Sequence, residues 1–170
     1  MNEAVSKQSR TVIRLPEEIY TAINELAVAH NRSLNGEIVT SVHKFLYERE
    51  SLTLIKDRLF ATSPSNIMEL NKRTPSFPFL ATNTNAHQVT LRLDATVTDD
   101  LREALEIVRV QSGMSLSLNS YLLQVMSWWI TYNFQIQEFS KILYDDFKTS
   151  LRRPVSAVCG NLFGQSLAFA

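Results

Sequence analysis

The chain of 170 residues is 45% apolar and contains only 4 glycines and 5 prolines, which excludes a disordered or fibrous protein and predicts one helix-rich domain or two small ones. Its 17 basic residues balance 17 acidic ones, so net charge gives no support to a nucleic-acid partner, and any such role must depend on local placement. A single cysteine, the lack of an apolar signal segment and the lack of a clear membrane-spanning stretch favour a soluble cytoplasmic protein.

The first predicted element is a short strand at residues 10–15, where two kinds of residue alternate. One face is predicted to be buried against helices. The outward face consists of Arg10, Val12 and Arg14. Pro16 is well placed to open a helix that ends near residue 30, and Ser33 is a good N-cap for a second helix with one apolar face. The first sixty residues are therefore predicted to form a strand followed by two helices.

The same pattern returns after residues 61–87, a segment rich in proline, serine, threonine and asparagine that we predict to be a linker. Residues 88–94 alternate like the first strand, with Thr98 as the predicted cap of the next helix. The outward face of this second strand consists of Gln88, Thr90 and Arg92. The tripeptide Ser-Leu-Asn occurs at residues 33–35 and again at residues 117–119. From strand end to this serine the distance is 18 residues in the first copy (33 minus 15) and 24 in the second (117 minus 93), so we interpret the chain as a diverged internal duplication.

A six-residue strand is unstable alone, because its backbone groups need a partner. That partner is either the other strand of the same chain or a strand of a second chain, and both arrangements give a two-stranded antiparallel ribbon. Such a ribbon fits the DNA major groove, where arginine can bind guanine, glutamine can bind adenine, and valine or threonine can contact a thymine methyl group. The N-termini of the second helices would offer N–H groups to phosphates. The predicted phosphate-binding residues are Ser33, Leu34, Asn35, Ser117 and Leu118.

The segment RTVIRLPEEIYTAINELAVAHNRSLNGEIV resembles the ribbon-helix-helix family, in particular the Arc-type phage repressors, and the resemblance extends to about Tyr47. It implies that alternate strand residues read bases, that Ser33 and the following N–H hold phosphate, and that the protein acts as a homodimer or higher homo-oligomer. At the position of Val12, members of the family usually have a polar residue that contacts bases. The family's buried Arg-Glu-Arg cluster is matched by Arg32 and Glu37, but its third position is Ser41.

The second copy resembles the family more weakly, since Tyr121 takes the place of the glutamate and no proline follows the strand. Some plasmid-transfer accessory proteins of this family carry two copies in one chain, which is consistent with a duplication here. The second copy could contact DNA or could serve only in pairing.

The sequence offers no catalytic pattern, because its histidines lack metal-ligand spacing and no nucleophile or phosphate-cradling glycine motif is present. We therefore expect no enzyme activity, cofactor, metal site, membrane partner or small-molecule substrate. The preferred interpretation is a transcriptional repressor that binds double-stranded DNA sequence-specifically. The alternatives are an accessory DNA-binding protein of plasmid transfer or partition, an antitoxin, and a protein-interaction module.

The predicted fold is mainly α, with tandem ribbon-helix-helix units that each consist of a short strand plus two helices, and with an extra C-terminal helix. The predicted units are an N-terminal ribbon-helix-helix unit at 1–60, a linker at 61–87, a second diverged unit at 88–133, and a C-terminal helical extension and tail at 134–170.

Overall fold

The order strand, helix, helix occurs twice in the computed structural model, which describes residues 8–63, 66–75 and 86–152. In the first half, β1 (Gln8–Pro16) leads into α1 (Glu17–Ala29) and α2 (Leu34–His43), which continues through a π-helical turn (Lys44–Glu48) into α3 (Arg49–Ala61). After α4 (Ile67–Arg73), the second half consists of β2 (Ala86–Asp94), α5 (Ala95–Ser112) and α6 (Leu118–Arg152). This arrangement confirms the predicted fold class, and the predicted C-terminal helix is the second half of the continuous α6.

The two strands of one chain pair with each other in an antiparallel ribbon. Of the arrangements that the sequence left open, the structure therefore has the intrachain one. The residues predicted to face outward stand opposite one another in three cross-strand pairs. These pairs are Arg10 with Arg92, Val12 with Thr90, and Arg14 with Gln88.

The first half begins and ends its helices at the residues that the sequence indicated. α1 starts directly after Pro16 and ends before Asn31, whose φ of 54° lies in the left-handed region that asparagine tolerates. Ser33 caps α2, because its Oγ accepts a hydrogen bond from the Gly36 N–H at 3.0 Å. The buried face of α1 is the predicted one and consists of Ile19, Ile23, Leu26 and Ala27.

In the second half the first helix begins earlier than predicted. α5 starts at Ala95, directly after the strand, so the prediction that Thr98 caps this helix is wrong. Thr98 is buried, and its Oγ1 donates to the Asp94 carbonyl oxygen at 3.0 Å, which satisfies the hydroxyl inside the first turn. α5 has 18 residues against 13 in α1, and the connection to the next helix has five residues (113–117) against four (30–33). These differences, five plus one, account for the six extra residues of the second half.

Both halves contribute to one apolar core beneath the ribbon. The inward strand residues Ile13, Leu15, Leu91 and Leu93 are at most 2% exposed, and they pack with buried side chains of α1, α2, α5 and α6. A smaller cluster joins Phe60 of α3, Leu70 of α4 and Phe139 of α6. A helix within the predicted linker is thus packed on the long C-terminal helix.

The unit boundaries predicted at residues 60, 87 and 133 remain predictions, and α6 passes through residue 133 without a break. Residues 76–85 of the linker, and the tail from residue 153 with Cys159, lie outside the described residues. Within the described ranges, no helix is both long enough and apolar enough to span a bilayer.

Candidate nucleic-acid interface

The outward face of the ribbon is open to solvent over its central part, at residues 10–14 and 88–92. All six residues predicted to read bases, three from each strand, are exposed on it. Val12 is 53% exposed and is the one apolar member of this face. Three arginines on this small face make it locally cationic although the chain has no net charge. The members of this face are Arg10, Val12, Arg14, Gln88, Thr90 and Arg92.

Two asparagines hold the ribbon from its two edges. The Arg14 N–H donates to Asn119 Oδ1 at 2.7 Å, and Asn119 Nδ2 donates to the Arg14 carbonyl oxygen at 3.3 Å. On the other strand the Arg92 N–H donates to Asn35 Oδ1 at 3.4 Å. In an antiparallel pair alternate residues direct their N–H and C=O groups away from the partner strand, and their side chains lie closer together. The outward residues of this ribbon direct their N–H and C=O groups away from the partner strand. Each asparagine therefore binds backbone groups that the ribbon itself leaves unpaired.

These asparagines also fix the position of the second-helix N-termini. Asn119 places the start of α6 beside the Arg14 end of the face, and Asn35 places the start of α2 beside the Arg92 end. Arg14 stands opposite Gln88, whereas Arg92 stands opposite Arg10. The two ends are therefore separated by four residues of strand, about 13 Å. The sequence prediction missed Asn119, although the repeated Ser-Leu-Asn tripeptide marked it as the equivalent of Asn35.

The caps of the two helices match atom by atom. Ser33 Oγ accepts from the Gly36 N–H and Ser117 Oγ accepts from the Ser120 N–H, both at 3.0 Å. The first amides of a helix have no intrahelical partner, so the N–H groups of Leu34 and Leu118 lie at exposed helix ends beside the ribbon. The structure thus brings four predicted phosphate-binding residues to the two ends of the ribbon face, while the Asn35 side chain is used by the strand.

A buried carboxylate lies beneath the start of α2. Glu37 is 0% exposed and accepts hydrogen bonds from Trp129 Nε1 at 2.7 Å and Arg32 at 3.0 Å, with His30 Nδ1 at 2.8 Å. Burial alone would raise the pKa of Glu37, but the hydrogen bonds from Trp129, Arg32 and His30 together outweigh it and hold the pKa below its ordinary value. The Arg32–Glu37 pair expected from the resemblance is present. In place of a second arginine, an indole from the other half donates to the carboxylate, while Ser41 donates to the Ile38 carbonyl oxygen.

Within the described residues, no group of histidine, cysteine, aspartate and glutamate side chains is arranged to hold a metal ion. The long-range contact of Tyr47 with Asp100, at 2.5 Å, adds a hydrogen bond between the two halves and raises the pKa of the tyrosine.

Comparison with protein families matches residues 5–53 to the Arc-like DNA binding domain. The match includes β1, α1 and α2 and ends early in α3, so membership of the second strand-helix-helix segment in this family remains a prediction. Comparisons with curated proteins and with solved structures give no match. The N-terminal part of the chain, residues 5–53, belongs to the Arc-like DNA-binding domains of the ribbon-helix-helix family.

Proposed function

We propose that this protein is a transcriptional repressor that binds double-stranded DNA sequence-specifically by inserting the β1–β2 ribbon into the major groove. The observation that carries the proposal is the exposed ribbon face, on which alternate side chains stand in three cross-strand pairs above a closed apolar core. A two-stranded ribbon has the width of the groove. The proposed base-reading residues are Arg10, Val12, Arg14, Gln88, Thr90 and Arg92.

The chemistry of this face suits base edges. Each arginine can donate two hydrogen bonds to a guanine, and Gln88 can bind an adenine in the same bidentate manner. Val12 and Thr90 stand opposite each other at the centre of the face, where both can contact thymine methyl groups. Each good bidentate contact is expected to contribute about 1–3 kcal/mol of discrimination against a wrong base.

The helix ends at both edges of the ribbon are the proposed phosphate contacts. An exposed helix N-terminus presents N–H groups and the positive end of a dipole to an anion. This arrangement supports DNA binding by a chain without net charge, because the favourable field is local. The proposed phosphate-binding residues are Ser33, Leu34, Asn35, Ser117 and Leu118.

Selection of bound duplexes from a random library, run for the full chain and for Arg14→Ala, tests the proposal. We expect the wild type to enrich one motif and Arg14→Ala to lose preference at one base position. Arg58→Ala, an exposed arginine of α3 far from the ribbon along the chain, is the matched control and should keep the motif. Enrichment of nothing even at low salt, where phosphate contacts are strongest, would show that the protein does not read DNA.

The repressor role and the assembly state need separate measurements. The enriched motif placed within a reporter promoter should lower expression when the protein is supplied, and unchanged expression would contradict repression. The family resemblance suggests a homodimer or higher homo-oligomer on DNA. The mass of the complex with the enriched duplex tests this, since one chain per duplex would contradict it.

A further inference from the structure

A cleft of about 800 Å³ lies between α3, α4 and α6. Its volume is in the range of small-molecule sites in proteins. The cleft is lined by aromatic rings on one part of its wall and by cations and amides on another, and the described residues of this wall include no aspartate or glutamate. These features distinguish it from the ribbon face, to which it contributes no residue.

Two cations lie on the α3 wall without acidic partners. Arg49 and Lys56 are seven residues apart, two helical turns, and therefore share one face of the helix. The Arg49 guanidinium lies 4.6 Å from the centre of the Phe45 ring, and Lys56 Nζ donates to Gln135 Oε1 at 3.2 Å. Across the described ranges neither cation forms an ion pair. The cleft therefore presents two cations that have no direct acidic partner among the described residues.

An aromatic surface forms another part of the wall. Trp128 and Tyr132 of α6 stack with their ring centres 5.8 Å apart and their planes at 24°. The Phe45 ring meets Trp128 edge-on, at 5.5 Å and 80°. All three side chains are only half-buried, so ring surface remains open to the cleft. Such a surface favours a planar ring, because aromatic pairs gain energy beyond their buried area.

An independent observation comes from Ser127. Its side chain is 5% exposed and lines the cleft, and its Oγ has no hydrogen-bond partner within the described part of the chain. A buried hydroxyl without a partner is unfavourable, so most such groups in folded proteins are paired. Because its Oγ is covered in the free protein, a bound molecule with a polar atom would supply the missing partner once the Ser127 side chain rotates toward the cleft.

We propose that the cleft binds a small organic anion that carries a planar ring. The anionic group contacts Arg49 or Lys56, the ring packs on Trp128 and Tyr132, and a polar atom of the ligand pairs with Ser127 Oγ. The polar wall is already held in place, because Gln135 accepts from Lys56 and its Nε2 donates to Thr74 Oγ1 at 3.4 Å, which links α3, α6 and α4. This inference does not depend on DNA binding.

Calorimetric titration of the full chain with 2-naphthoate tests the proposal, with 2-naphthylmethanol as the neutral molecule of the same ring and acetate as the anion without a ring. We expect saturable 1:1 binding of 2-naphthoate, binding of 2-naphthylmethanol that is weaker by about tenfold or more, as loss of one charged hydrogen bond implies, and no binding of acetate. Equal affinity for the two naphthalene compounds, or no binding of 2-naphthoate at millimolar concentration, would overturn the proposal.

Variants distinguish this cleft from non-specific binding. Arg49→Gln and Lys56→Gln should each lower the affinity for 2-naphthoate, and at least one of them should lower it by about tenfold. Arg58 is a cation of α3 that does not line the cleft, so Arg58→Gln should leave this affinity unchanged. Ser127→Ala should lower the affinity for 2-naphthoate. It should not lower the thermal stability of the free protein, because the lost hydroxyl has no hydrogen-bond partner among the described residues. Unchanged affinity in both Arg49→Gln and Lys56→Gln, or in Ser127→Ala, would show that the anion does not occupy this cleft.

Discussion

Glu37 and Tyr121 occupy matching positions, four residues after the capping serines of α2 and α6, and both are buried, at 0% and 3% exposed. Each contacts an aromatic side chain of the other half. These aromatic residues also match in position, because each lies twelve residues after the capping serine of its own half. Glu37 accepts a hydrogen bond from Trp129 Nε1, whereas the Tyr121 ring meets Phe45 edge-on at 6.0 Å and 87°. The same backbone arrangement is thus closed by a charged hydrogen-bond cluster on one side and by an aromatic pair on the other.

The buried glutamate is therefore not a requirement of the fold. It is compatible with burial because the two halves together supply its donors, Arg32 and His30 from one half and Trp129 from the other. If like halves paired across two chains, Glu37 would face Phe45, which has no donor, and Trp129 would face Tyr121. The unlike pair is therefore favoured, which agrees with a ribbon formed within one chain.

The largest expected effect comes from the aromatic side of the comparison. Tyr121→Ala removes a buried ring and leaves a cavity next to Phe45, so we expect a loss of about 3–4 kcal/mol in the free energy of unfolding. Urea unfolding measures it. Tyr144→Ala, which removes a tyrosine that is 64% exposed on the same helix, is the matched control and should change stability little. A loss below about 1 kcal/mol for Tyr121→Ala would mean that the aromatic pair does not hold the two halves together.

On the polar side we expect a smaller loss that depends on pH. Glu37→Gln weakens the charge-assisted hydrogen bonds and should cost about 2 kcal/mol at pH 7. The pKa of Glu37 is lowered in the folded protein, so its contribution is complete above the ordinary glutamate pKa and is lost as the pH falls below about 4.5.

Urea unfolding of wild type and Glu37→Gln at pH 7 and at pH 4 checks this prediction. The stability difference between the two proteins should shrink at the lower pH. Glu103→Gln, at an exposed position of α5, serves as the control and should follow the wild type at both pH values. A difference that stays constant between the two pH values would contradict a lowered pKa of Glu37.

Replacing either asparagine by alanine should lower the stability, and the loss should be larger for the asparagine with the shorter and more numerous hydrogen bonds. Asn119 makes two bonds to Arg14, the shorter at 2.7 Å, and Asn35 makes one to Arg92 at 3.4 Å. We expect Asn119→Ala to cost about 1 kcal/mol and Asn35→Ala less. Hydrogen exchange gives the local test, because the Arg14 amide should lose protection in Asn119→Ala and keep it in Asn35→Ala. The opposite order would show that the α2 end holds the ribbon more firmly.

The helix ends allow a comparison of two left-handed residues, Asn31 with a φ of 54° and Gly113 with a φ of 66°. Gly113→Ala should cost about 1 kcal/mol, because a β-carbon is unfavourable in the left-handed region and nothing within 4 Å offers it a compensating contact. Asn31→Gly should change stability by only a few tenths of a kcal/mol, since asparagine already tolerates this conformation. Thermal unfolding of both variants measures the two losses of stability. Equal losses would contradict the expectation that Gly113→Ala costs more than Asn31→Gly.

The sequence predicted the local elements of the fold because their signals are short-ranged. Alternation in β1 and β2 located both strands and their inward faces, and Ser33 and Asn31 located a helix cap and a helix end. The start of α5 was predicted wrongly, because Thr98 is a good capping residue by type but the strand passes into the helix at Ala95 without a loop. Capping preference is a property of single residues, whereas the start of α5 is set by the end of the paired strand β2.

The missing parts of the site depend on distant residues. Intrachain and interchain pairing satisfy the same alternation, so the strand pattern does not choose between them. The bond between Trp129 and Glu37 joins residues 92 positions apart, and no local pattern indicates that an indole from the second half replaces the expected arginine. Similarly, α4 lies in a polar segment, and its burial of Leu70 depends on Phe139 of a helix that begins much later in the chain.

A ribbon made of two different strands has a consequence for the form of the DNA site. In a symmetric dimer one substitution changes both halves of the reading surface at once, and the target tends to be a palindrome. Here Val12 stands opposite Thr90 and Arg14 opposite Gln88, so a change in one strand leaves the other as it was. If the ribbon reads bases, one chain distinguishes the two directions along a duplex, and each side of its target can evolve independently of the other.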